Sequence, residues 1–285
     1  MLSGNFINKF IIGTAQLSHN YGLKPITSFE KEKYLEIFKL AENKKINKID
    51  TAQIYNNEKI LKKIIKKNIV TTKFNYNYEL SINQNFDFLS NHLKLLNTSK
   101  VENILIHNFK LDVIDKYNIL NKFGDLLKQK DLCENFGLSL YYNENLLDAT
   151  IRNLHIDIIQ IPVNIFDQRF AQSDYLEFFK NKNVLIQVRS IYLQGLLLDE
   201  KLYNQYKFSK WSKIFEIYNN WLLNNNINSI QACVSYIYSL NFVDQIVVGL
   251  NNIENLRSLL NIKIIDKLDY PLFTNDDNLL NPSKW

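Results

Sequence analysis

Short apolar runs recur along the chain, and each is followed by a longer stretch in which apolar residues return at helical spacing. The runs are rich in Ile and Val and are mostly apolar on both sides, which is typical of parallel strands buried on both faces. We expect eight such strands, over residues 10–14, 48–51, 69–74, 103–107, 136–141, 156–163, 184–191 and 245–250.

Amphipathic stretches separate these runs. In one of them Leu89, His92, Leu93 and Leu96 fall at positions i, i+3, i+4 and i+7, the spacing of one helix face. Two further helices are expected over residues 211–223 and 230–240. Strands that alternate with helices predict a parallel sheet, and eight is the number that closes a (β/α)8 TIM barrel. A doubly wound open sheet is the alternative, but no G-x-G-x-x-G motif follows the first strand.

No linker rich in Pro, Gly or Ser divides the 285 residues, so we expect a single domain over residues 1–285. The chain is 46% hydrophobic and 22% charged, which excludes a disordered protein. Cys133 and Cys233 are too few for a disulfide framework and indicate a reducing compartment. No 18-residue apolar run and no signal-peptide pattern is present, so we expect a cytoplasmic protein with no membrane partner.

The net charge of +5 raises the question of an anionic partner. The densest lysine cluster covers residues 62–67, where Ile64 and Ile65 separate two lysine pairs. This spacing predicts a helix with one buried side and one solvated side. Few aromatic residues interleave with basic ones, so we expect no nucleic-acid partner.

Polar residues at three consecutive strand ends form the candidate site. The second strand brings Asp50 and, just beyond it, Tyr55; the third brings Lys73 and the fourth His107. Each has a structural interpretation, such as a turn cap, an ion pair or barrel packing. In a barrel, however, the C-terminal ends of the strands form the active site. A carboxylate can hold an ammonium group, the ammonium group favours ionisation of a neighbouring phenol, and a histidine can hydrogen-bond to the reacting oxygen. Together these groups suit the protonation of a carbonyl oxygen.

The sequence resembles the aldo-keto reductase family from about the first strand to the last helix. The resemblance rests on the D-T-A-x-x-Y-x-x-E pattern of residues 50–58, and on Thr72-Lys73, Ile106-His107, Gly137-Leu138-Ser139, Gln160-Ile161-Pro162-Val163-Asn164, Arg189-Ser190, Leu193-Gln194-Gly195-Leu196 and Val248-Gly249-Leu250-Asn251. It implies transfer of hydride from a nicotinamide cofactor to an aldehyde or ketone. In that role Tyr55 is the proton donor, Lys73 and Asp50 lower its pKa, and His107 orients the substrate.

The resemblance also implies a cofactor site, with NADPH as the default and NADH as the other possibility. Ser139 and Gln160 match positions that hold the nicotinamide carboxamide, although Leu140 stands where the family usually has Asn. Ser190 lies where many members stack an aromatic residue on the nicotinamide. The other implied contacts are Gly13, Thr14, Asp50, Arg189, Gly249, Asn251 and Asn255.

The loop after the eighth strand lacks the family's usual basic residue for the 2′-phosphate. Arg257 is the nearby substitute, and Glu254 would repel a phosphate. We expect weak cofactor selectivity for this reason.

Residues outside these motifs carry weaker expectations. His19 and Tyr21-Gly22, after the first strand, either line the substrate pocket or only form the loop, and Arg169 is a candidate for the rim. No His, Cys or carboxylate pair has zinc-ligand spacing, so no metal is predicted.

We expect an NAD(P)H-dependent carbonyl reductase. A catalytically idle cofactor-binding barrel and a barrel with sugar-phosphate isomerase or lyase chemistry are the alternatives. The loop after His107 is short, and the tail offers Tyr270, Phe273 and Trp285 to cover a pocket. An open rim favours a polar substrate such as a sugar derivative.

Overall fold

A closed parallel barrel forms the centre of the computed structural model, which describes residues 4–18, 22–23, 28–65 and 69–285. Its strands pair in chain order, and the last strand pairs with the first. The predicted (β/α)8 barrel is confirmed. The strands are β1 (Phe10–Gly13), β2 (Lys48–Asp50), β3 (Ile69–Phe74), β4 (Val101–Ile106), β5 (Cys133–Ser139), β6 (Ile158–Pro162), β7 (Leu185–Arg189) and β8 (Gln245–Gly249).

Four strand starts differ from the sequence expectation: β6 begins at Ile158 rather than 156 and β7 at Leu185 rather than 184, and two strands begin earlier than expected. β4 begins at Val101 rather than 103, and β5 at Cys133 rather than 136, because these two residues pair with each other across the strands. Glu102 lies in this added segment and forms an ion pair with Lys48 at the start of β2, with 3.0 Å between Nζ and Oε1. Charged side chains at the N-terminal ends of β4 and β5 interrupt the apolar runs, so the apolar pattern did not predict these strand starts.

Helices surround the barrel. They are α1 (Gly4–Ile7), α2 (Ser28–Asn43), α3 (Glu58–Leu61), α4 (Ile82–Leu95), α5 (Tyr117–Gln129), α6 (Glu144–Asn153), α7 (Tyr175–Asn181), α8 (Glu200–Tyr203), α9 (Ser212–Asn224), α10 (Ser229–Ser239), α11 (Ile253–Leu260) and α12 (Asp277–Leu280). The two helices predicted near 211–223 and 230–240 correspond to α9 and α10. The four α4 residues that marked a helix face are all buried.

The lysine cluster has the expected two sides where it is described. Ile64 and Ile65 are buried, and Lys62 and Lys63 are exposed. Lys66 and Lys67 lie outside the described residues. Within the described part of the chain, no helix is long and apolar enough to cross a membrane.

The strands are buried on both faces, and their inward face carries polar as well as apolar side chains. In β7, Ile186 and Val188 are fully buried, and between them Gln187 hydrogen-bonds across the barrel to side chains of β3, β6 and β8. The expectation that the strands are mostly apolar on both sides holds for the outward face, whereas the barrel interior mixes amides with apolar side chains such as Val247 and Leu105. Side chains of a strand alternate between its faces, so a single inward amide does not interrupt the apolar outer face.

Candidate active site

Asp50, Tyr55, Lys73 and His107 line one cavity of about 700 Å³ at the C-terminal ends of the strands. Asp50 is the last residue of β2, and Lys73 is the penultimate residue of β3. His107 directly follows β4, and Tyr55 ends the short 3-10 turn over Gln53–Tyr55. The fold thus brings the four predicted residues to one place.

A buried ion pair joins two of them. Lys73 Nζ lies 2.5 Å from Asp50 Oδ1, and both side chains are almost fully buried. Burial lowers the pKa of Lys73, while the negative charge of Asp50 opposes that shift. The second oxygen of Asp50 accepts a hydrogen bond of 2.7 Å from Gln160 Nε2. The carboxylate is therefore held from two sides.

The turn that carries Tyr55 is anchored by a buried amide. Asn57 donates from Nδ2 to the carbonyl oxygen of Thr14 (3.0 Å) and to its hydroxyl (3.2 Å), and accepts from the Thr51 hydroxyl (3.3 Å). Asn56, between Tyr55 and Asn57, is left-handed with φ 49°. These contacts place the Tyr55 ring with its centroid 5.4 Å from Lys73 Nζ. The phenol thus lies beside the ammonium group.

His107 is neutral at ordinary pH. Burial, followed by the charges of Lys73 and Arg189, lowers its pKa to about 3. A neutral imidazole has one N–H donor and one acceptor nitrogen. His107 can therefore donate a hydrogen bond into the cavity without carrying a charge.

The expected cofactor contacts fall into two groups. One group lines the cavity: Gly13, Asp50, Arg189, Ser190, Gly249, Asn251 and Asn255. Thr14, Ser139 and Gln160 are buried and are not among the described lining residues. The Thr14 hydroxyl donates to the Asp50 carbonyl oxygen (3.0 Å), and the Ser139 hydroxyl donates to Gln160 Oε1 (3.0 Å).

Sequence reasoning missed a buried amide network beneath these residues. Gln160 donates to Gln187, and Gln187 donates to Gln245 Oε1 (2.7 Å). On the other side of the barrel, Asn103 donates to the Thr71 hydroxyl (2.8 Å). The sequence signal that could have predicted this network was the presence of single polar residues inside apolar runs.

Gln16 is a second residue that the sequence did not single out. It lies in the loop after β1 and lines the cavity, and its Oε1 is buried without a hydrogen-bond partner. A Cβ at Gly249 would lie 1.9 Å from Gln16 Nε2, so the end of the Gln16 side chain would have to move to admit one. The sequence signal that could have identified Gln16 was its position shortly after Gly13, at the C-terminal end of the first strand.

The remaining candidates have different outcomes. Gly22 lines the cavity, whereas His19 and Tyr21 lie outside the described residues. Arg169 is held by carboxylates, with Nε 2.8 Å from Asp167 Oδ1 and Nη1 2.7 Å from Asp277 Oδ1. Its two ion pairs give it a structural role between the loop after β6 and the tail.

The aromatic residues of the tail do not cover the cavity as expected. Phe273 stacks on Phe166, with ring centroids 4.9 Å apart, and Tyr270 packs edge-on against Tyr236. The Trp285 indole donates to the Leu279 carbonyl oxygen (3.0 Å). These contacts pack the rings against α9, α10 and α12, because removing apolar surface from water is favourable.

Arg257 is an exposed residue of α11. Its Nη1 lies 3.4 Å from Glu254 Oε1, one helical turn earlier, and neither residue is among the described lining residues of the cavity. The guanidinium group is thus partly neutralised by its neighbour on the helix.

Comparisons with known proteins agree with this geometry. The sequence model described as "Aldo/keto reductase family" matches residues 9–270. The search of curated proteins found no match.

Among solved structures, the chain is similar to the aldo-keto reductase AKR11C1 from Bacillus halodurans in its holo form. The TM-score is 0.72 at 18% identity, and the match covers 90% of this chain and 88% of that chain. It is also similar to the glycerol dehydrogenase AKR11B4 from Gluconobacter oxydans (TM-score 0.65, 16% identity, 90% and 88% covered). An aldo-keto reductase from Brucella melitensis has a TM-score of 0.61 at 18% identity, with 89% and 88% covered.

The solved structures establish the barrel, and the family match extends over nearly the whole chain. Because the family model covers residues 9–270, the chain belongs to the aldo/keto reductase family, whose members are NAD(P)-dependent oxidoreductases.

Proposed function

We propose that this protein is an NAD(P)H-dependent carbonyl reductase that converts an aldehyde or ketone to an alcohol, with Tyr55 as the proton donor. The observation that carries the proposal is the buried Asp50–Lys73 ion pair beside the Tyr55 ring. An ammonium group next to a phenol favours loss of the phenolic proton. A phenol in that environment is a suitable general acid toward a carbonyl oxygen.

The cavity fits a nicotinamide cofactor at its β1–β8 side. Gly249 lets the Gln16 amide lie against the end of β8, and Gln16 Oε1 is buried there without a hydrogen-bond donor. Gly13, Asn251 and Asn255 line the same side, whereas Arg189 and Ser190 border the cavity at the end of β7. When bound, reduced nicotinamide supplies the hydride. We assign these residues except Arg189, with Ser139, Gln160 and Thr14 behind them, to holding the cofactor, and take NADPH as the default and NADH as the other possibility. Arg189, which the family resemblance also implies as a cofactor contact, we leave to the substrate.

The remaining groups act on the substrate. The Tyr55 phenol donates its proton to the carbonyl oxygen as the carbonyl carbon receives hydride, and solvent then restores that proton. Neutral His107 donates a hydrogen bond to the same oxygen and fixes its direction. Lys73 compensates the charge that develops on the phenol, and Asp50 keeps Lys73 protonated in spite of burial.

A polar substrate such as a sugar derivative suits the cavity best. Amide groups of Gln16, Gln194 and Asn251 line it, and the aromatic tail leaves it open. One structural neighbour is named a glycerol dehydrogenase, which is consistent with a polyhydroxy compound.

Replacing Tyr55 by Phe tests the proposal. Turnover of aldehydes with NADPH should fall by about 10²-fold or more, which is the scale of a lost general acid. Cofactor affinity should change little, because the substitution removes only one hydroxyl. Tyr206 is 93% exposed and lies outside the cavity, so Tyr206→Phe is the matched control and should keep full turnover.

Retained turnover in Tyr55→Phe would exclude Tyr55 as the acid. A wild-type protein that binds the cofactor but reduces no aldehyde, ketone or sugar would support the catalytically idle barrel instead.

A further inference from the structure

Arg189 is a fixed cation at the wall of the cavity. It is the last residue of β7, and its guanidinium carbon lies 4.4 Å from the Tyr141 ring centroid. The next residue, Ser190, is left-handed with φ 58°, and its carbonyl oxygen accepts from Asn164 Nδ2 (3.2 Å) and from the Leu193 amide (2.8 Å). A left-handed residue other than glycine persists only where its surroundings hold it. The end of β7, and Arg189 with it, is therefore held in place.

The guanidinium group has donors to spare. Within the described part of the chain it donates to the Ser190 hydroxyl and to the Leu140 carbonyl oxygen, both at 3.3 Å. A guanidinium group carries five N–H donors. Both contacts are neutral and long, so most of its hydrogen-bonding capacity faces no protein acceptor among the described residues.

The charge of Arg189 also lacks a counterion among the side chains that the structure describes. Of the other charged groups at the cavity, Lys73 is paired with Asp50, and Asp199 caps the start of α8 through Lys201 N (2.9 Å). Arg189 takes part in none of the ion pairs formed among the described residues. A half-buried cation without a carboxylate is stabilised when an anion binds.

Arg169 provides an internal comparison. It lies over the ring of Tyr142, the neighbour of Tyr141, at 5.1 Å, yet it also binds Asp167 and Asp277. An arginine with a purely structural role in this protein thus has carboxylate partners. Arg189 has the same aromatic support and faces the cavity with its charge uncompensated.

We propose that Arg189 forms an anion subsite for the substrate, and that the preferred substrate is a carbonyl compound bearing a carboxylate or phosphate group. This inference rests on the proposed carbonyl reductase activity. The planar fork of arginine binds two oxygens of such a group at once. The subsite lies in the same cavity as Tyr55 and His107, so an anionic group held there orients the carbonyl toward the proton donor.

The experiment compares 4-carboxybenzaldehyde with its uncharged methyl ester, methyl 4-formylbenzoate. In the wild type, kcat/KM should be at least about tenfold higher for the acid, or ~1.4 kcal/mol. Arg189→Met should remove that preference by slowing the acid and leaving the ester within about threefold. Arg189→Lys should keep part of the preference, because it keeps the charge but not the fork. Arg152→Met removes an equally positive but exposed residue of α6 and should behave like the wild type.

Measurements of cofactor affinity show whether Arg189 binds an anionic group of the substrate or a phosphate of the cofactor. Dissociation constants of NADPH, measured by fluorescence, should agree within about threefold between wild type and Arg189→Met. If the variant loses NADPH affinity and keeps the acid-to-ester ratio, Arg189 serves a cofactor phosphate and the inference is wrong. An equal ratio in wild type and variant also overturns it.

Binding of 4-carboxybenzyl alcohol, measured by calorimetry, tests the subsite without turnover. The wild type should bind it at least about tenfold more tightly than Arg189→Met. If the wild type reduces no aldehyde but shows this difference, the proposed activity fails and the anion subsite stands. If aldehydes are reduced and neither assay depends on Arg189, the subsite alone fails.

Discussion

Protonation states at the cavity depend on a few buried charges. Lys73 remains the partner of Asp50 although burial lowers its pKa, and His107 is neutral because burial and two neighbouring cations disfavour its charged form. A barrel that placed the same residues in solvent would lack both effects. The chemistry of each residue is thus a property of its environment.

His107 should make stability depend on pH below about 6.5. Its pKa is about 3 in the folded protein and near 6.5 in the unfolded chain, so the unfolded chain binds one more proton between these values. The stabilisation is complete above pH 6.5 and is lost as pH falls toward 3. In His107→Gln, the slope of unfolding free energy against pH, measured with urea between pH 6 and 4, should be shallower by ~1.36 kcal/mol per pH unit.

His155 provides the control, because it is exposed. His155→Gln should reproduce the wild-type slope. An unchanged slope in His107→Gln would mean that His107 protonates as readily in the folded protein as in the unfolded chain.

At the scale of elements, the loops after β7 and β8 shape the cavity. Leu193, Gln194 and Gly195 in the loop after β7 have positive φ. Such residues cost about 1–3 kcal/mol each when they are not glycine, and the surrounding packing must hold them. Leu193 is fully buried, which supplies that packing. Packing of the protein itself therefore holds the loop in this conformation.

The loop and helix after β8 should give weak cofactor selectivity. Arg257 is exposed and shares its charge with Glu254, so it can favour NADPH over NADH by no more than about tenfold, or ~1.4 kcal/mol. Arg257→Ala should erase this preference and leave NADH affinity unchanged. Glu254→Gln should raise NADPH affinity a few-fold, because it removes a repulsive charge. Titrations of both cofactors by fluorescence measure these effects.

A strong NADPH preference that survives Arg257→Ala would place the phosphate-binding residue elsewhere. Arg152→Ala, which removes an exposed arginine from α6, controls for the general loss of positive charge.

At the scale of the whole molecule, Arg169 fastens the tail to the barrel. It binds fully buried Asp167 through two nitrogens (2.8 and 2.9 Å) and Asp277 of α12 through a third (2.7 Å). Arg169→Met leaves the Asp167 carboxylate buried without a counterion, which typically costs about 3–5 kcal/mol. We expect a loss of about that size in urea unfolding.

Adding Asp167→Asn to Arg169→Met should restore part of the lost stability, because it removes the stranded charge. Arg152→Met breaks only an exposed pair and should change stability by less than about 1 kcal/mol. If Arg169→Met and Arg152→Met lower the free energy of unfolding equally, the tail is not held by the Arg169 ion pairs.

The sequence by itself determined the alternation of strands and helices, because the short apolar runs of buried strands and the 3.6-residue spacing of helix faces are local patterns. It also determined that Asp50, Tyr55, Lys73 and His107 lie together, since strand ends in a barrel share one rim. These features need only short-range patterns and one closure rule.

The tertiary structure alone decided the contacts between distant positions. Gln160 and Asp50 are 110 residues apart, and Gln187 and Thr71 are 116 apart, yet each pair is joined inside the barrel. Inward amides look like interruptions in an apolar run until their partners across the barrel are known. The same holds for the two arginines: Arg169 and Arg189 are alike in sequence, and only the fold gives carboxylates to one and leaves the other facing the cavity. An ion pair depends on distance in space, which no local pattern records.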